Sequence, residues 1–259
     1  MSELRKIIVH YHLFKNAGSS IDYILRRSFL GDSWCEFDKD RPGAKILPAE
    51  LASLIYANPK LKALSSHQIV PPLPIGDFEV FPIIFIRHPI LRAKSAYLFE
   101  WQRQLNLAQP KGSFGEYVEE KLEAGSGGAI SDFHVYQMAN TSLDSRWPVR
   151  SEDPLRRLSA AKIFLESLPF FGLVEHFQVS LERMHFYLKY HFPELEIVHR
   201  KINVTDVSEL SVDSKISIIK SELGADLFRK LESCNKLDLD FYQFATDKFM
   251  NVVPKEVEL

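Results

Sequence analysis

Lys6 to Phe14 carries a near-continuous apolar run in which Ile7, Ile8 and Val9 are β-branched, the pattern of a strand buried on both faces. The run breaks at Asn16-Ala17-Gly18. Beyond it Ile21, Ile24, Leu25 and Phe29 recur at helical spacing, with Ser19 and Ser20 as N-cap candidates. A strand, a tight turn and a helix would set backbone N–H groups and a helix N-terminus at the strand's C-terminal end, a ready anion site. A second cycle follows: a helix at 48–57, a short strand at 61–65 ending at His67, a Pro-rich loop, and Phe81 to Ile86 as the strongest strand signal. That strand stops at Arg87-His88-Pro89, where Pro89 suits a first helical turn, and helix is predicted from Ile90 to Leu105. Further helices are predicted at 114–122, 130–138, 154–167, 177–190, 213–231 and 237–250. Short strands are predicted at 170–174 and 196–199, and Gly125 to Gly128 reads as a flexible stretch. Alternating strands and helices without a dividing linker predict one α/β domain over residues 1–259, a parallel sheet flanked by helices with extra helices at the C-terminal end.

Composition changes this picture little. Lys plus Arg is 32 against 34 Asp plus Glu, a net charge of −2, so nothing marks a general nucleic-acid or membrane-surface binder. Two cysteines, Cys35 and Cys234, make no disulfide framework, and no CxxC or HExxH spacing marks a metal site. No apolar run reaches 18 residues, and Met1 to Phe14 lacks the form of a signal peptide. The expected address is the cytoplasm. Oligomeric state is not legible.

Two constellations carry candidate chemistry. His12-Leu13-Phe14-Lys15-Asn16-Ala17-Gly18-Ser19-Ser20 has the context of a phosphate loop but not the nucleoside-triphosphatase spacing, in which Lys follows the last Gly directly and a hydroxyl holds Mg²⁺. In the second, Arg87 ends the best strand, and His88, Arg92 and Ser95 follow at i, i+4, i+7 along the helix, where an Arg and a Ser are placed to grip a second phosphate.

As a pair, these segments resemble the sulfotransferases, in particular the glycan-modifying branch that includes heparan sulfate 2-O-sulfotransferases. Lys15-Asn16-Ala17-Gly18-Ser19-Ser20 is similar to that family's loop for the 5′-phosphosulfate of 3′-phosphoadenosine 5′-phosphosulfate (PAPS), with Phe14 in place of a Pro and Asn16 in place of a Thr. Arg87-His88-Pro89…Arg92…Ser95-Ala96-Tyr97 is similar to its 3′-phosphate segment, with His88 in place of the usual Asp. Weaker likenesses lie at 171–177, at the basic segment His199 to Thr205, and at 241–245.

The resemblance implies transfer of a sulfonate group from PAPS, without a metal, to a hydroxyl of a glycan or another acceptor. It implies Lys15 as the cation at the leaving oxygen and His67 as general base, with His12, His88 and Glu100 as rivals for the base. Lys15, Asn16, Ala17, Gly18, Ser19, Ser20, Arg87, Ser95, Arg200 and Asn203 are then the nucleotide contacts. Arg103, Arg146, Arg150, Arg156 and Arg157 are candidates for an acidic acceptor, and Trp34, Trp101 and Trp147 for sugar stacking. The lack of an anchor departs from the Golgi members and suggests a bacterial, cytosolic setting. A P-loop-type nucleotide kinase and a non-catalytic nucleotide- or glycan-binding domain remain open as other readings.

Overall fold

The computed structural model describes residues 4–41, 43–123, 127–197 and 210–251. Five strands form one sheet: β1 (Arg5–Tyr11), β2 (Trp34–Glu36), β3 (Ala63–Ser66), β4 (Phe78–Ile86) and β5 (Gly172–Leu173). Their order is β2-β3-β1-β4-β5 and every pairing is parallel. β1 and β4 pair over seven positions, from Arg5 opposite Phe78 to Tyr11 opposite Ile84. The fold is α/β, as the alternating pattern predicts.

Both faces of the sheet are apolar because successive side chains point to opposite sides. Ile7, Val9 and Tyr11 of β1 join Ile84 and Ile86 of β4 in one core cluster. Helices α2 (Pro48–Ala57), α5 (Phe133–Met138), α6 (Pro154–Ser167) and α9 (Lys236–Asn251) cover it. Ile8, Phe81, Ile83 and Phe85 face the other way and pack on α1 (Gly18–Ser28) and α7 (Phe177–Leu188). A third cluster joins α3 (Pro89–Leu98), α4 (Phe114–Glu123) and α8 (Val212–Ser233), the last bent at Gly224, whose φ is 74°.

This alternation decides where the chemistry points. His10, one residue out of step with Val9 and Tyr11, lies on the α1 face. There Asp22 of α1 meets it.

Several predicted boundaries move. β2 lies outside every predicted strand: three residues at a sheet edge leave too short a pattern to read. Ser19 and Ser20 are not N-caps. The cap is Ala17, in the left-handed region at φ 63°, and both serines sit in the first turn of α1. The helix predicted to Leu105 ends as α3 at Leu98 and continues as a π-helical turn, Phe99–Arg103. Glu196 and Ile197 join no strand. Residues 198–200, Gly125 and Ser126 lie outside the described residues, and Gly127–Ala129 is a 3₁₀ turn.

Candidate functional site at the strand ends

Parallel strands deliver their C-terminal ends to one edge, and the sheet order fixes the sequence of side chains along it. Beyond β2 comes Asp38, beyond β3 His67, beyond β1 His12 and Lys15, beyond β4 Arg87, and beyond β5 Glu175. Between β1 and β4 the following chain departs in opposite directions, toward β2 and toward β5, the switch point at which open α/β sheets bind ligands.

The turn after β1 stands at that switch point. Lys15 and Ala17 both adopt positive φ, 62° and 63°. Asn16 between them is buried. Its amide nitrogen lies 2.7 Å from the Phe85 carbonyl and 2.8 Å from Nε2 of His134. His134 Nδ1 in turn meets Asp238 of α9 at 2.9 Å, and Asp238 also accepts from the amides of His134 and Val135. A carboxylate only accepts, so Nδ1 of His134 carries the proton and Nε2 accepts from Asn16. Burial would raise the Asp238 carboxyl, but His134 and these hydrogen bonds hold it below the usual carboxylate range. Asn16 is therefore a clamp between the turn and β4. Its side chain and its backbone N–H, bonded to Leu13 O, are engaged within the protein rather than offered to a phosphate.

Lys15 sits among cations. Burial, Arg103 and Arg87 together lower its pKa to about 8. Its ammonium stands 4.5 Å from the centre of the Phe99 ring. Phe99 and Arg103 both belong to the π-helical turn, which brings them toward Lys15. Arg87 donates to the Lys15 carbonyl at 3.1 Å, and its charge also reaches Glu175. Glu175 accepts from the His88 amide at 3.1 Å and from the Tyr242 hydroxyl at 3.1 Å, tying β5, α3 and α9 together. Ser19 is exposed at the start of α1, where the Gly18 and Ser19 amides precede the first bond of the turn, from Ser20 N to Ala17 O at 2.9 Å. Ser20 and Ser95 are buried, and Arg92 is wholly so, its Nη1 bonded to Ala129 O and its guanidinium 4.3 Å from the Phe133 ring. Arg200 and Asn203 lie outside the described residues.

His67 is the accessible imidazole of the edge, with 40% of its side chain exposed. Its Nδ1 lies 2.9 Å from Asp38 Oδ2, while Asp38 Oδ1 accepts from the His67 amide and from Ser66 Oγ. The proton again belongs on Nδ1, and Nε2 keeps its lone pair. Burial and the neighbouring His12 charge lower the His67 pKa below 6.5, against opposite pulls from Asp38 and Asp22. Gln68 holds the Asp38 segment in place, exchanging hydrogen bonds with the backbone of Lys39.

Behind His67 the rings stack. His12 lies 3.8 Å from it, centre to centre, and His10 lies 5.3 Å from His12. Asp22 offers one oxygen to each inner ring, at 2.8 Å to His10 Nδ1 and 2.7 Å to His12 Nδ1. Burial would raise this carboxyl, but His10 and both hydrogen bonds hold it far below the usual range. His10, His12 and Asp22 have the donor set for a cation, yet their distances are those of two hydrogen bonds. His12 is 7% exposed and faces inward, which favours His67 as the base. The other rivals are also engaged: His88 caps α3 with its ring, its pKa lowered to about 4 by burial, His134 and Arg87, and Glu100 pairs with Lys121 at 2.7 Å.

No family model matches the chain. A protein of Archaeoglobus fulgidus described as "Uncharacterized protein" is 30% identical over 260 residues, which cover 95% of this chain and 98% of that one. The chain belongs to the same family as this archaeal protein. That relative lends no support to a bacterial setting. Among the described residues of this family member, no helix is long and apolar enough to cross a membrane. An open groove of about 670 Å³ lies on the α8–α9 surface, and none of the strand-end residues lines it.

Asp22, Asp38, Gln137 and Lys45 were missed by sequence reasoning. Asp38 had one usable signal, an acid just past a strand end, but β2 itself was not read. Asp22 follows from the periodicity of α1 only once His10 is known to face that helix.

Gly18 shows how tightly the column is built. A Cβ there would meet atoms of the His12 ring at 2.0 to 2.5 Å. Gly18→Ala is expected to displace His12 and destabilise the protein by about 1–3 kcal/mol. Urea unfolding checks this, and an unchanged midpoint would contradict the packing described.

Proposed function

We propose that this protein is a sulfotransferase that moves a sulfonate group from PAPS to an acceptor hydroxyl, with a glycan as the favoured acceptor. The observation that carries this reading is the juxtaposition, along one sheet edge, of the Lys15, Arg87 and Arg103 cations with a histidine of fixed tautomer, His67 on Asp38. A donor with two phosphates needs two cationic seats. Lys15 with the first amides of α1 suits the 5′ group, and Arg87 suits the 3′ group. The Asn16 side chain does not suit a phosphate, because it already bonds Phe85 O and His134.

PAPS would supply an activated sulfonate whose departure leaves charge on a phosphate oxygen. The protein's part follows from its own groups. Lys15 is a preorganised cation for that charge, a contribution of about 3–4 kcal/mol to the barrier in comparable sites. Burial, with repulsion from Arg103 and Arg87, disfavours its charged form until an anion arrives. His67 Nε2 takes the proton of the acceptor hydroxyl, while Asp38 orients the ring and steadies the imidazolium.

The pH dependence has a definite sign. His67 acts when neutral, and its pKa is lowered, so kcat/KM should hold as pH falls to 6.5 and decline only below it. Lys15 acts when charged, so kcat/KM should fall as pH rises through about 8. Lys15→Arg should remove the alkaline limb even at reduced rate. An alkaline limb unmoved in Lys15→Arg would assign it elsewhere.

Adenosine 3′,5′-bisphosphate tests the donor site without turnover. At about 100 times its dissociation constant it should stabilise the fold by about 2.7 kcal/mol, a rise of roughly 5–10 °C in Tm. ATP, which lacks the 3′-phosphate, should do much less, and Arg87→Ala should erase most of the difference. A larger shift from Mg²⁺-ATP than from the bisphosphate would overturn the reading in favour of a kinase.

A further inference from the structure

A second group of cations lies near His67. Lys45 follows β2, Arg150 ends the loop after α5, and Arg157 lies in the first half of α6. Three separate segments bring them together. The loop is fastened at its base, where Thr141 N donates to Val149 O at 3.1 Å and the Asn140 amide bonds the Pro71 carbonyl. Arg150 then lies over the Tyr136 ring at 4.3 Å, within electrostatic reach of both Lys45 and Arg157.

None of the three makes an ion pair among the described residues. Two other candidate arginines differ: Arg103 stands with Lys15, and Arg156 faces Asp153 at 3.7 Å. Asp132 is the carboxylate that feels Arg157, but its Oδ1 accepts from the amides of Leu237 and Asp238. Nε and Nη2 of Arg150 and Nε of Arg157 are buried without a hydrogen-bond partner. Buried donors of this kind are costly unless something satisfies them. Like charges brought together by three segments are costly as well, and burial with Arg150 lowers the Lys45 pKa to about 8. An oxyanion would relieve both costs at once.

The position ties this group to the base. Gln137 of α5 bonds the Lys45 ammonium through its amide oxygen, and its amide nitrogen lies 3.4 Å from the His67 carbonyl. One amide group thus separates the Lys45 ammonium from the His67 backbone.

We propose that Lys45, Arg150 and Arg157 form a second anion site, which holds a carboxylate or sulfate group of an acidic acceptor while the acceptor's hydroxyl meets His67. The acceptor's part in this rests on the transferase reading above; anion binding at these three side chains does not.

The test uses the full-length protein, with inorganic sulfate as probe and chloride at equal ionic strength as control. In arginine side-chain NMR spectra, millimolar sulfate should shift the Nε–H signals of both Arg150 and Arg157, with or without adenosine 3′,5′-bisphosphate. Arg150→Gln should abolish the Arg157 shift. Without sulfate it should melt no lower than the parent, because it removes one of three like charges. Unmoved Arg150 and Arg157 signals would overturn the site. So would an Arg150→Gln protein that melts well below the parent yet keeps the Arg157 shift, since the guanidinium would then be structural. A bisphosphate that fails to move the Arg87 signal would count against the donor site alone.

Discussion

β1 runs parallel to β3 on one side and to β4 on the other, and the placement of the site follows from that arrangement. Because all five strands point the same way, their C-terminal residues gather at one edge. Crossover connections between parallel strands are usually helical, and after β1 and β4 a helix N-terminus arrives beside these ends. The same register puts His10 opposite Ser65 and on the α1 face, where Asp22 binds both inner imidazoles. Had β1 slipped by one residue, Val9 would face α1 and the histidine column would not form.

The site is held from behind as well as by the sheet. Asn16 and its chain of bonds through His134 to Asp238 tie the turn after β1 to the C-terminal helix. Glu175 ties the N-terminus of α3 to the same helix through Tyr242. Two positive-φ residues in the turn, Lys15 and Ala17, are non-glycine, and such strain persists where the surroundings fix it. The helices beyond the sheet therefore serve the strand-end edge as much as they serve the core.

Much of this was legible in the sequence because it rests on strong local patterns. The apolar run of β1, the FPIIFI core of β4, and Pro at the start of α2, α3 and α6 gave elements within a few residues of those observed. Lys15, His67 and Arg87 could be named because each follows a readable strand. What failed depended on partners distant in sequence. Asn16 reads as a phosphate contact until Phe85 and His134 are seen to occupy it. Asp38 and Lys45 follow a three-residue edge strand whose pattern is too short to detect, and their roles come from Ser66, His67 and Gln137, 28 to 92 positions away in the chain. The serines of α1 read as caps, but the turn reaches the helix through a left-handed Ala17 instead.

The central claim is that one strand-end edge holds a donor of sulfonate at Lys15 and Arg87 and deprotonates an acceptor at His67. The direct measurement is transfer of label from radioactive PAPS to a panel of hydroxyl-bearing oligosaccharides and lipids, run in parallel for the parent protein and His67→Gln. The account predicts a labelled product with the parent. It predicts donor binding of near-parent affinity but a rate lowered roughly 10²–10⁴-fold for His67→Gln. Failure of the parent protein to bind PAPS, or transfer that proceeds unchanged in His67→Gln, would contradict it.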